Sequence, residues 1–268
     1  MIGAILGDII GSPYEFDRGN KSKEFPLFSR KSAYTDDTVM TLAVGLTFLD
    51  AQPSASDDWI LRNLANRMRQ FGKMYPNAGY GGMFRQWLRN PECKAYNSFG
   101  NGSAMRVSPI GWIHASLEET LAEAKRSAEV THNHPEGIKG AQAIAACVFL
   151  ARIGKNKEEI KEYITSTFGY NLNRSIEEIR PSYYIDARAT CQGSVPEAII
   201  SFLDSTDYEN AIRLAISIGG DSDTIACMTG GIAEAYYKKI PDEIVNTVMD
   251  MLPQQMIEVI EEFSTRYL

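Results

Sequence analysis

Apolar residues recur at helical spacing along nearly the whole chain, and the sequence lacks runs in which polar and apolar residues strictly alternate. Because a half-buried strand needs such alternation and an amphipathic helix needs an apolar stripe, this periodicity predicts an all-α protein. The chain has 268 residues, of which 44% are apolar, so it can bury a sizeable core and is not a disordered chain. We expect a single domain over residues 1–268 that forms a compact, orthogonal bundle of helices.

Helix caps and prolines predict where several helices begin. Ser116 suits the N-cap of a helix over 117–130, and Glu119 completes a capping box with it. Pro135 suits the first turn of a helix that continues to Arg152. The other predicted helices cover residues 38–50, 57–71, 156–165, 195–203, 207–217, 222–238, 242–251 and 253–266. Segments 75–103 and 168–193 are predicted to be long loops, where sites are often built.

Composition argues against several classes of function. With 27 basic and 34 acidic residues the net charge is −7, so we expect no stable binding of nucleic acid through its phosphates. The four cysteines form no Cys-x-x-Cys pair, which indicates reduced thiols and a cytoplasmic location. The N-terminal residues do not resemble a secretory signal, and the longest apolar run, over 143–151, is too short to span a membrane.

Two acidic clusters, TDDT at 35–38 and DSDT at 221–224, stand where loops become aliphatic helices. Helix capping explains one acid in each cluster and is the simplest interpretation of either cluster alone, but it leaves the second acid unexplained. If the two helix starts meet, their carboxylates repel one another unless a cation binds between them. Oxygen donors favour Mg²⁺ or Ca²⁺, with Mn²⁺ as a further alternative, over zinc. The clusters therefore predict a metal cleft at helix N-termini, with enough ligands for two ions that activate a water.

Glycines recur at every fourth position near the N-terminus, at Gly3, Gly7 and Gly11, and Glu15 follows them. This spacing lines one face of a helix with glycine, which predicts close packing against another helix. Glu15 is interpreted as a surface residue when it is considered alone.

A glycine-rich loop, SFGNGSAMR, covers residues 98–106. Its glycines would let backbone N–H groups approach a diphosphate, and Phe99 would offer a ring for a base to stack on. A plain Asn-Gly turn is the alternative. GYGG at 79–82 is a second loop of this kind. His132 lies just before the helix that starts at Pro135, and its neutral ring either donates to a ligand or bonds to the backbone there.

Taken in order, these motifs resemble those of the ADP-ribosylglycohydrolase family. The matching stretches lie between residue 3 and about residue 237, and they are GAILGDIIGSPYE, YTDDTVM, GYGG, FGNGSAMRVSPIG, TH and AISIGGDSDTIACMTGGIAEAYY. The resemblance implies a compact all-helical fold around two Mg²⁺ ions, or two Mn²⁺ ions. It also implies hydrolysis of the glycosidic bond between ADP-ribose and an acceptor, by water that the metals activate.

The resemblance also implies roles for individual residues. The metal ligands would be Thr35, Asp36, Asp37, Asp221, Asp223 and Thr224. The residues that contact the substrate would be Gly81, Ser98, Phe99, Gly100, Asn101, Gly102 and His132, with Phe99 near the adenine. Glu15 corresponds to an acid that gates the site, and both Glu15 and Asp36 are candidates for the general base. One departure from the family pattern is Glu234, where glycine is common, and we expect that change to be peripheral.

The residues leave two other functions open. Paired carboxylates beside a phosphate loop would also serve a dinuclear-metal phosphoesterase, and the same fold would serve a catalytically silent ADP-ribose-binding protein. The acceptor stays open among arginine, serine and a small molecule such as O-acetyl-ADP-ribose, because segments 75–97 and 168–193 match no subgroup. We expect a monomer that acts on an ADP-ribosylated protein or a small conjugate.

Overall fold

The computed structural model describes residues 1–16, 21–52, 54–183 and 189–268. Throughout these ranges the chain is built of helices, and the only β pairing is an isolated bridge between Gly100 and Thr190. The prediction of an all-α fold is confirmed. No helix within these ranges is both long enough and apolar enough to cross a membrane.

Helices account for most of the described residues. In chain order they are α1 (Ile2–Gly11), α2 (Asp36–Asp50), α3 (Asp57–Met74), α4 (Gly82–Arg89), α5 (Gly102–Met105), α6 (Ile110–Ile113), α7 (Leu117–Glu129), α8 (Pro135–Arg152), α9 (Lys157–Phe168), α10 (Ile176–Ile179), α11 (Cys191–Leu203), α12 (Tyr208–Ser217), α13 (Ser222–Tyr237), α14 (Asp242–Met249) and α15 (Gln254–Tyr267). A 3-10 turn over Ser12–Tyr14 extends α1. Helix α8 has the predicted bounds, and the capping box of Ser116 and Glu119 is present at the start of α7.

The two predicted long loops contain helices that the sequence interpretation missed. Helix α4 lies inside 75–103, and α10 lies inside 168–193. Helix α4 has only 8 residues, and its apolar residues Phe84, Trp87 and Leu88 do recur at helical spacing, a signal that the sequence interpretation did not use. It buries Phe84 and Trp87, whose rings stack at a centroid distance of 5.5 Å, so packing rather than propensity stabilises it.

Helices α1 and α13 pack antiparallel with their backbones in contact. A Cβ on Gly7 would lie 2.1 Å from the carbonyl oxygen of Ala226, and one on Gly3 would lie 2.5 Å from that of Gly230. The glycine repeat therefore serves close packing, as the sequence predicts. Because the helices run in opposite directions, the C-terminal end of α1 lies beside the N-terminal end of α13.

Glu234 anchors the other end of this helix pair. Its carboxylate is buried and accepts hydrogen bonds from the amino group of Met1 at 2.6 Å and from the amide of Gly3 at 2.9 Å. A carboxylate at a helix N-terminus offsets the partial positive charge there. Glu234, which we expect to be peripheral to the function, thus has a structural role, since it joins the C-terminal end of α13 to the N-terminal end of α1.

Candidate active site

A cleft of about 360 Å³ opens where the C-terminal end of α1 meets the N-terminal ends of α2, α5 and α13. Most of the residues that the sequence singles out line it: Glu15, Asp36, Asp37, Gly81, Ser98, Gly100, Asn101, Gly102, His132, Asp221, Asp223 and Thr224. Thr35 and Phe99 do not line the cleft: the hydroxyl of Thr35 is bonded to Asp8, and Phe99 is 47% exposed. The two acidic clusters do converge, although 187 residues separate Asp37 from Thr224, which are in contact.

The start of α2 is held by Asp8, an acid of α1 that the sequence analysis did not assign to the site. The Asp8 carboxylate accepts hydrogen bonds from the amide and hydroxyl of Thr35, at 2.9 and 2.7 Å. It also accepts bonds from the amide and hydroxyl of Thr38, at 3.0 and 2.5 Å. Asp8 thus satisfies N–H groups that the first turn of α2 would otherwise leave unpaired.

The carboxylates form two overlapping groups. Oxygens of Asp8, Asp37 and Asp223 lie within 4.8 Å of one another, and so do oxygens of Glu15, Asp221 and Asp223. Asp223 belongs to both groups. Asp36, which the sequence analysis placed among the ligands, lines the cleft but belongs to neither group.

The hydrogen bonds within the cluster separate satisfied carboxylates from unsatisfied ones. Each Asp8 oxygen accepts at least one hydrogen bond. Asp37 Oδ2 accepts a bond from the hydroxyl of Thr224 at 3.1 Å, whereas its Oδ1 is buried and has no partner among the described residues. A buried carboxylate oxygen without a donor is costly, and a cation would satisfy it. This donor set of carboxylate and hydroxyl oxygens fits a hard divalent cation.

Burial shifts the titration of the whole cluster. Loss of solvent is the largest cause that raises the pKa of Asp8, Asp37, Asp221 and Asp223, and neighbouring carboxylates raise those of Asp37 and Asp223 further. Burial, followed by repulsion from Asp221 and Asp8, raises the pKa of Glu15 to about 7. Burial, followed by repulsion from Asp8 and Asp221, raises that of Asp36 to about 7. The cluster is therefore more stable when some of its carboxylates are protonated or when bound cations neutralise their charge.

Glu15 and Asp36 reach the cleft from different elements. Glu15 ends the turn after α1, and the amide of the next residue, Phe16, donates a 2.6 Å hydrogen bond to the carbonyl of Gly220. Asp36 lies beside Gly79, where a Cβ would be 3.4 Å from Asp36 Oδ1. Gly79 has a φ of +99°, a backbone conformation that favours glycine.

Asn101 lines the cleft, and its side chain supports the carboxylates. Its side-chain amide donates to Asp221 Oδ2 at 2.6 Å and to the hydroxyl of Ser194 at 3.0 Å. In the same loop, the amide of Gly100 donates to Ser98 Oγ at 3.1 Å, and that of Asn101 donates to a carbonyl oxygen. The N–H groups of Gly100 and Asn101 thus have partners within the protein. The sequence had predicted that successive N–H groups of this loop approach a ligand.

A chain of hydrogen bonds sets the proton position on His132. The buried guanidinium of Arg106 donates to Thr131 Oγ1 at 2.9 Å, and Thr131 Oγ1 lies 2.7 Å from His132 Nδ1. Because His132 Nδ1 is the only acceptor near the Thr131 hydroxyl among the described residues, we assign the hydroxyl proton to the bond with Nδ1, which leaves the ring proton on Nε2. Burial, and then the charge of Arg106, hold the pKa of His132 well below its usual range, so the ring is neutral. Its Nε2 faces the glycine loop, 3.1 Å from where a Cβ on Gly102 would lie.

His134 and Phe99 meet at the rim of the cleft. His134 caps α8 through Nδ1, which accepts the amide of Glu136 at 3.1 Å, so this histidine bonds to the backbone at the helix start. The ring of Phe99 lies edge-on to that of His134 at 5.2 Å. Phe99 therefore presents its ring to solvent next to the loop that holds Ser98 and Gly100.

Sequence reasoning missed Asp8, Arg106 and Ser194. Asp8 carried a signal, since it is an acid inside an otherwise apolar helix and such a residue needs a buried partner. Arg106 carried a similar signal within an apolar segment, and it is fully buried. Ser194 carried none, because its contact with Asn101 joins residues that are 93 positions apart.

Comparisons with known proteins agree with this architecture. A family model described as ADP-ribosylglycohydrolase matches residues 1–267. The chain is 29% identical to a Homo sapiens protein named ADP-ribosylhydrolase ARH3, over 88% of this chain and 84% of that protein. It is 26% identical to a Pseudomonas putida protein named ADP-ribosylarginine hydrolase Tri1, over 92% of this chain and 72% of that protein. A solved structure described as an ADP-ribosylglycohydrolase-related protein complex shares the fold, with a TM-score of 0.72, 22% identity and coverage of 100% of this chain and 96% of the other.

Proposed function

The chain belongs to the ADP-ribosylglycohydrolase family, and we propose that it hydrolyses the glycosidic bond between ADP-ribose and an acceptor with the help of two divalent cations. The family match supports the reaction class. The observation that supports the metal mechanism is the position of Asp223 in both carboxylate groups, beside the unpartnered Oδ1 of Asp37. The acceptor would be a protein side chain or a small conjugate.

We propose Mg²⁺ as the cation, with Mn²⁺ as the alternative, because the donors are all oxygens. Asp37, Asp221, Asp223 and Thr224 would hold the ions, with Asp36 and Thr35 as the further ligands that the family resemblance implies. When bound, the two ions supply positive charge for the ribose hydroxyls and lower the pKa of a water molecule. Asp8 would act as a positioning residue, because its oxygens already accept hydrogen bonds from α2.

Glu15 and Asp36 are the two groups that would take the proton of the attacking water. Each has a pKa raised to about 7, a value that suits a group that takes and releases protons near neutral pH. The remaining carboxylates would stabilise positive charge that develops on the anomeric carbon and ring oxygen as the bond breaks.

The loop at 98–102 and His132 would bind the ADP part of the substrate. The neutral His132 ring would donate its Nε2 proton to a phosphate or ribose oxygen, since Nδ1 is occupied by Thr131. Gly100, Gly102 and Gly81 would let the ligand approach the backbone, and Ser98 would add a hydroxyl. Phe99, which is exposed at the rim, would stack on the adenine.

Product analysis tests the proposal. Peptides that carry ADP-ribose on arginine or on serine are incubated with the protein in Mg²⁺ or in EDTA, and the products are identified by mass spectrometry. The arginine linkage is included because one relative is named for it. Free ADP-ribose in Mg²⁺ supports the proposal, whereas AMP or phosphate indicates a phosphoesterase. Binding of ADP-ribose without any product indicates a silent binding protein.

A substitution in the cleft tests whether the carboxylates there carry out the reaction. Asp223→Asn removes charge from both carboxylate groups, so we expect ADP-ribose release to fall by about a thousandfold, as for other groups that stabilise a transition state directly. Asp250→Asn is the matched control, because Asp250 is exposed at the end of α14. Full activity of Asp223→Asn, or full activity of the unaltered protein in EDTA, would exclude the metal mechanism.

A further inference from the structure

A second cavity, of about 1060 Å³, adjoins the active-site cleft. It is lined by the C-terminal half of α3, by α4 and by the loop that joins them. Gly79 lines both cavities, Tyr80 lines this one, and Gly81 lines the active-site cleft. The two cavities therefore lie on either side of Gly79, the residue that Asp36 approaches.

Four cations line this second cavity, which we call the basic groove: Arg69, Lys73, Arg85 and Arg89. None of the four forms an ion pair within the described ranges. Burial lowers the pKa of Arg69, and the nearby carboxylate of Glu92 raises it to a smaller extent. By contrast, Arg67, on the same helix as Arg69, pairs with Asp50. The basic groove is thus a concentration of unneutralised positive charge on a chain whose net charge is −7.

Two of the guanidinium groups are held in place before any ligand binds. That of Arg69 lies 3.9 Å over the ring of Trp87 and donates from Nη2 to the carbonyl of Cys93, while its buried Nε has no partner among the described residues. That of Arg85 donates from Nη2 to the carbonyl of Tyr80 at 3.0 Å. Each of these side chains retains N–H groups for an anion, and little side-chain entropy is left to lose on binding.

The walls of the basic groove suit a polypeptide. Pro76, Tyr80, Leu88 and Pro91 supply apolar surface between the cations. A chain of phosphodiesters would need a continuous track of cations, and the acidic remainder of the protein would repel it. A peptide with carboxylates places isolated charges along an uncharged backbone, which matches this alternation of cations and apolar walls.

We propose that the basic groove binds acidic residues of the acceptor polypeptide that flank its ADP-ribosylated side chain. This inference rests on the proposed function, which puts the modified side chain at the cleft. The 8 residues of α4 extend over about 12 Å, the length of about three to four residues of extended peptide. The preferred carboxylates therefore lie within about four positions of the modified residue.

Kinetics on matched substrates test the inference. Two ADP-ribosylated peptides are compared that differ only in their flanking residues, Asp and Glu in one and Ser and Gly in the other, and the single modified amino acid serves as a third substrate. We expect a higher kcat/KM for the acidic peptide, through a lower KM. The preference should shrink in high salt, which screens exposed charges.

Charge-reversal variants test whether the preference for the acidic peptide depends on the basic groove. Lys73→Glu and Arg89→Glu, both at exposed positions, are expected to lower kcat/KM on the acidic peptide by about 3- to 10-fold, the range for exposed charge pairs that turn repulsive. Activity on the single modified amino acid should not fall. Lys239→Glu is the matched control, because Lys239 is exposed beyond the C-terminal end of α13, far from the cleft.

Binding of unmodified probes separates failure of this inference from failure of the proposed function. Fluorescence anisotropy is measured with an acidic peptide, a neutral peptide and a single-stranded oligonucleotide. If no conjugate is cleaved, the proposed function fails, and acidic-peptide binding that Lys73→Glu weakens still supports the basic groove. Equal binding of acidic and neutral peptides, cleavage without preference, or binding of the oligonucleotide alone would overturn the inference.

Discussion

The carboxylate of Asp8 accepts hydrogen bonds from both the amide and the hydroxyl of Thr38, 30 residues further along the chain. The start of α2 is therefore held by an acid from α1, rather than by its own acidic residues alone. Asp37 is left with one buried oxygen that has no partner among the described residues. The division of roles between the two acids makes Asp8 a positioning residue and Asp37 a candidate ligand.

Asp8→Asn tests this division. The amide would present N–H groups to donors on Thr35 and Thr38, so buried donors would lose their acceptor. We expect the free energy of unfolding to fall by about 1–3 kcal/mol, the usual cost of buried groups left unsatisfied. Chemical denaturation in Mg²⁺, which offsets the repulsion between Asp8 and the other carboxylates, measures this loss, with Asp250→Asn as the control. A variant as stable as the unaltered protein would contradict the role given to Asp8.

The stability of the metal-free protein should depend on pH near neutrality. Because folding raises the pKa of Glu15 and Asp36 to about 7, the folded state binds these protons more tightly than the unfolded state. The stability they contribute is complete at acidic pH and is lost as the pH rises through about 7. We therefore expect a lower Tm at pH 8.0 than at pH 6.5 in EDTA, while Mg²⁺ should raise the Tm more at pH 8.0.

This pH range avoids an opposing effect of the histidines. Burial lowers the pKa of His114 and His132 from its usual value of 6.5. These histidines therefore reduce the free energy of unfolding mainly below pH 6.5. The double variant Glu15→Gln, Asp36→Asn serves as the control, and its Tm should change less between the two pH values. A Tm in EDTA that is unchanged or higher at pH 8.0 would contradict the prediction.

Thr131 should control the proton position on His132. In Thr131→Val the acceptor of the Arg106 hydrogen bond and the partner of His132 Nδ1 are both lost, so the ring proton is no longer confined to Nε2. We expect affinity for ADP-ribose to fall by about tenfold, the equivalent of one hydrogen bond, and Thr131→Ser to restore it. Calorimetry measures the affinity, and ¹⁵N NMR of the ring reports the tautomer. Unchanged affinity together with an unchanged tautomer in Thr131→Val would disprove the relay.

Gly7→Ala should strongly destabilise the fold. Its Cβ would lie 2.1 Å from the carbonyl oxygen of Ala226, and neither backbone can move without separating α1 from α13. We expect a loss of about 3 kcal/mol or more, at the upper end for overpacked cores. Gly82→Ala is the control, because a Cβ there meets nothing within 4 Å. Thermal unfolding compares the two, and similar losses would refute the close approach.

The sequence predicted those parts of the protein that depend on local patterns. The capping box at Ser116, the proline at the start of α8 and the glycine repeat of α1 each depend on residues within one or two turns, and the structure has all three. The convergence of the acidic clusters was also predictable, because a second acid at each helix start has no local explanation. These signals are present in the order of residue types alone.

What the sequence could not provide were partners far along the chain. Glu234 contacts the N-terminal residues across 233 positions, so its own helix gave no hint that it is buried. Asn101 has the composition of a ligand loop, yet its side chain is bonded to Asp221, 120 positions away. Helix α4 buries Phe84 and Trp87, and although their spacing indicates a buried face, it does not show which surface that face packs against.

The backbone contact between α1 and α13 has a consequence for how such a protein can diversify. Glycines fix the separation of these helices, so the spacing of the acids at their adjoining ends does not depend on the size of any interchangeable side chain. The segment that carries α4 belongs to neither helix. If the basic groove binds the acceptor as we propose, grafting that segment between relatives should transfer acceptor preference while the acids at the helix ends keep their spacing.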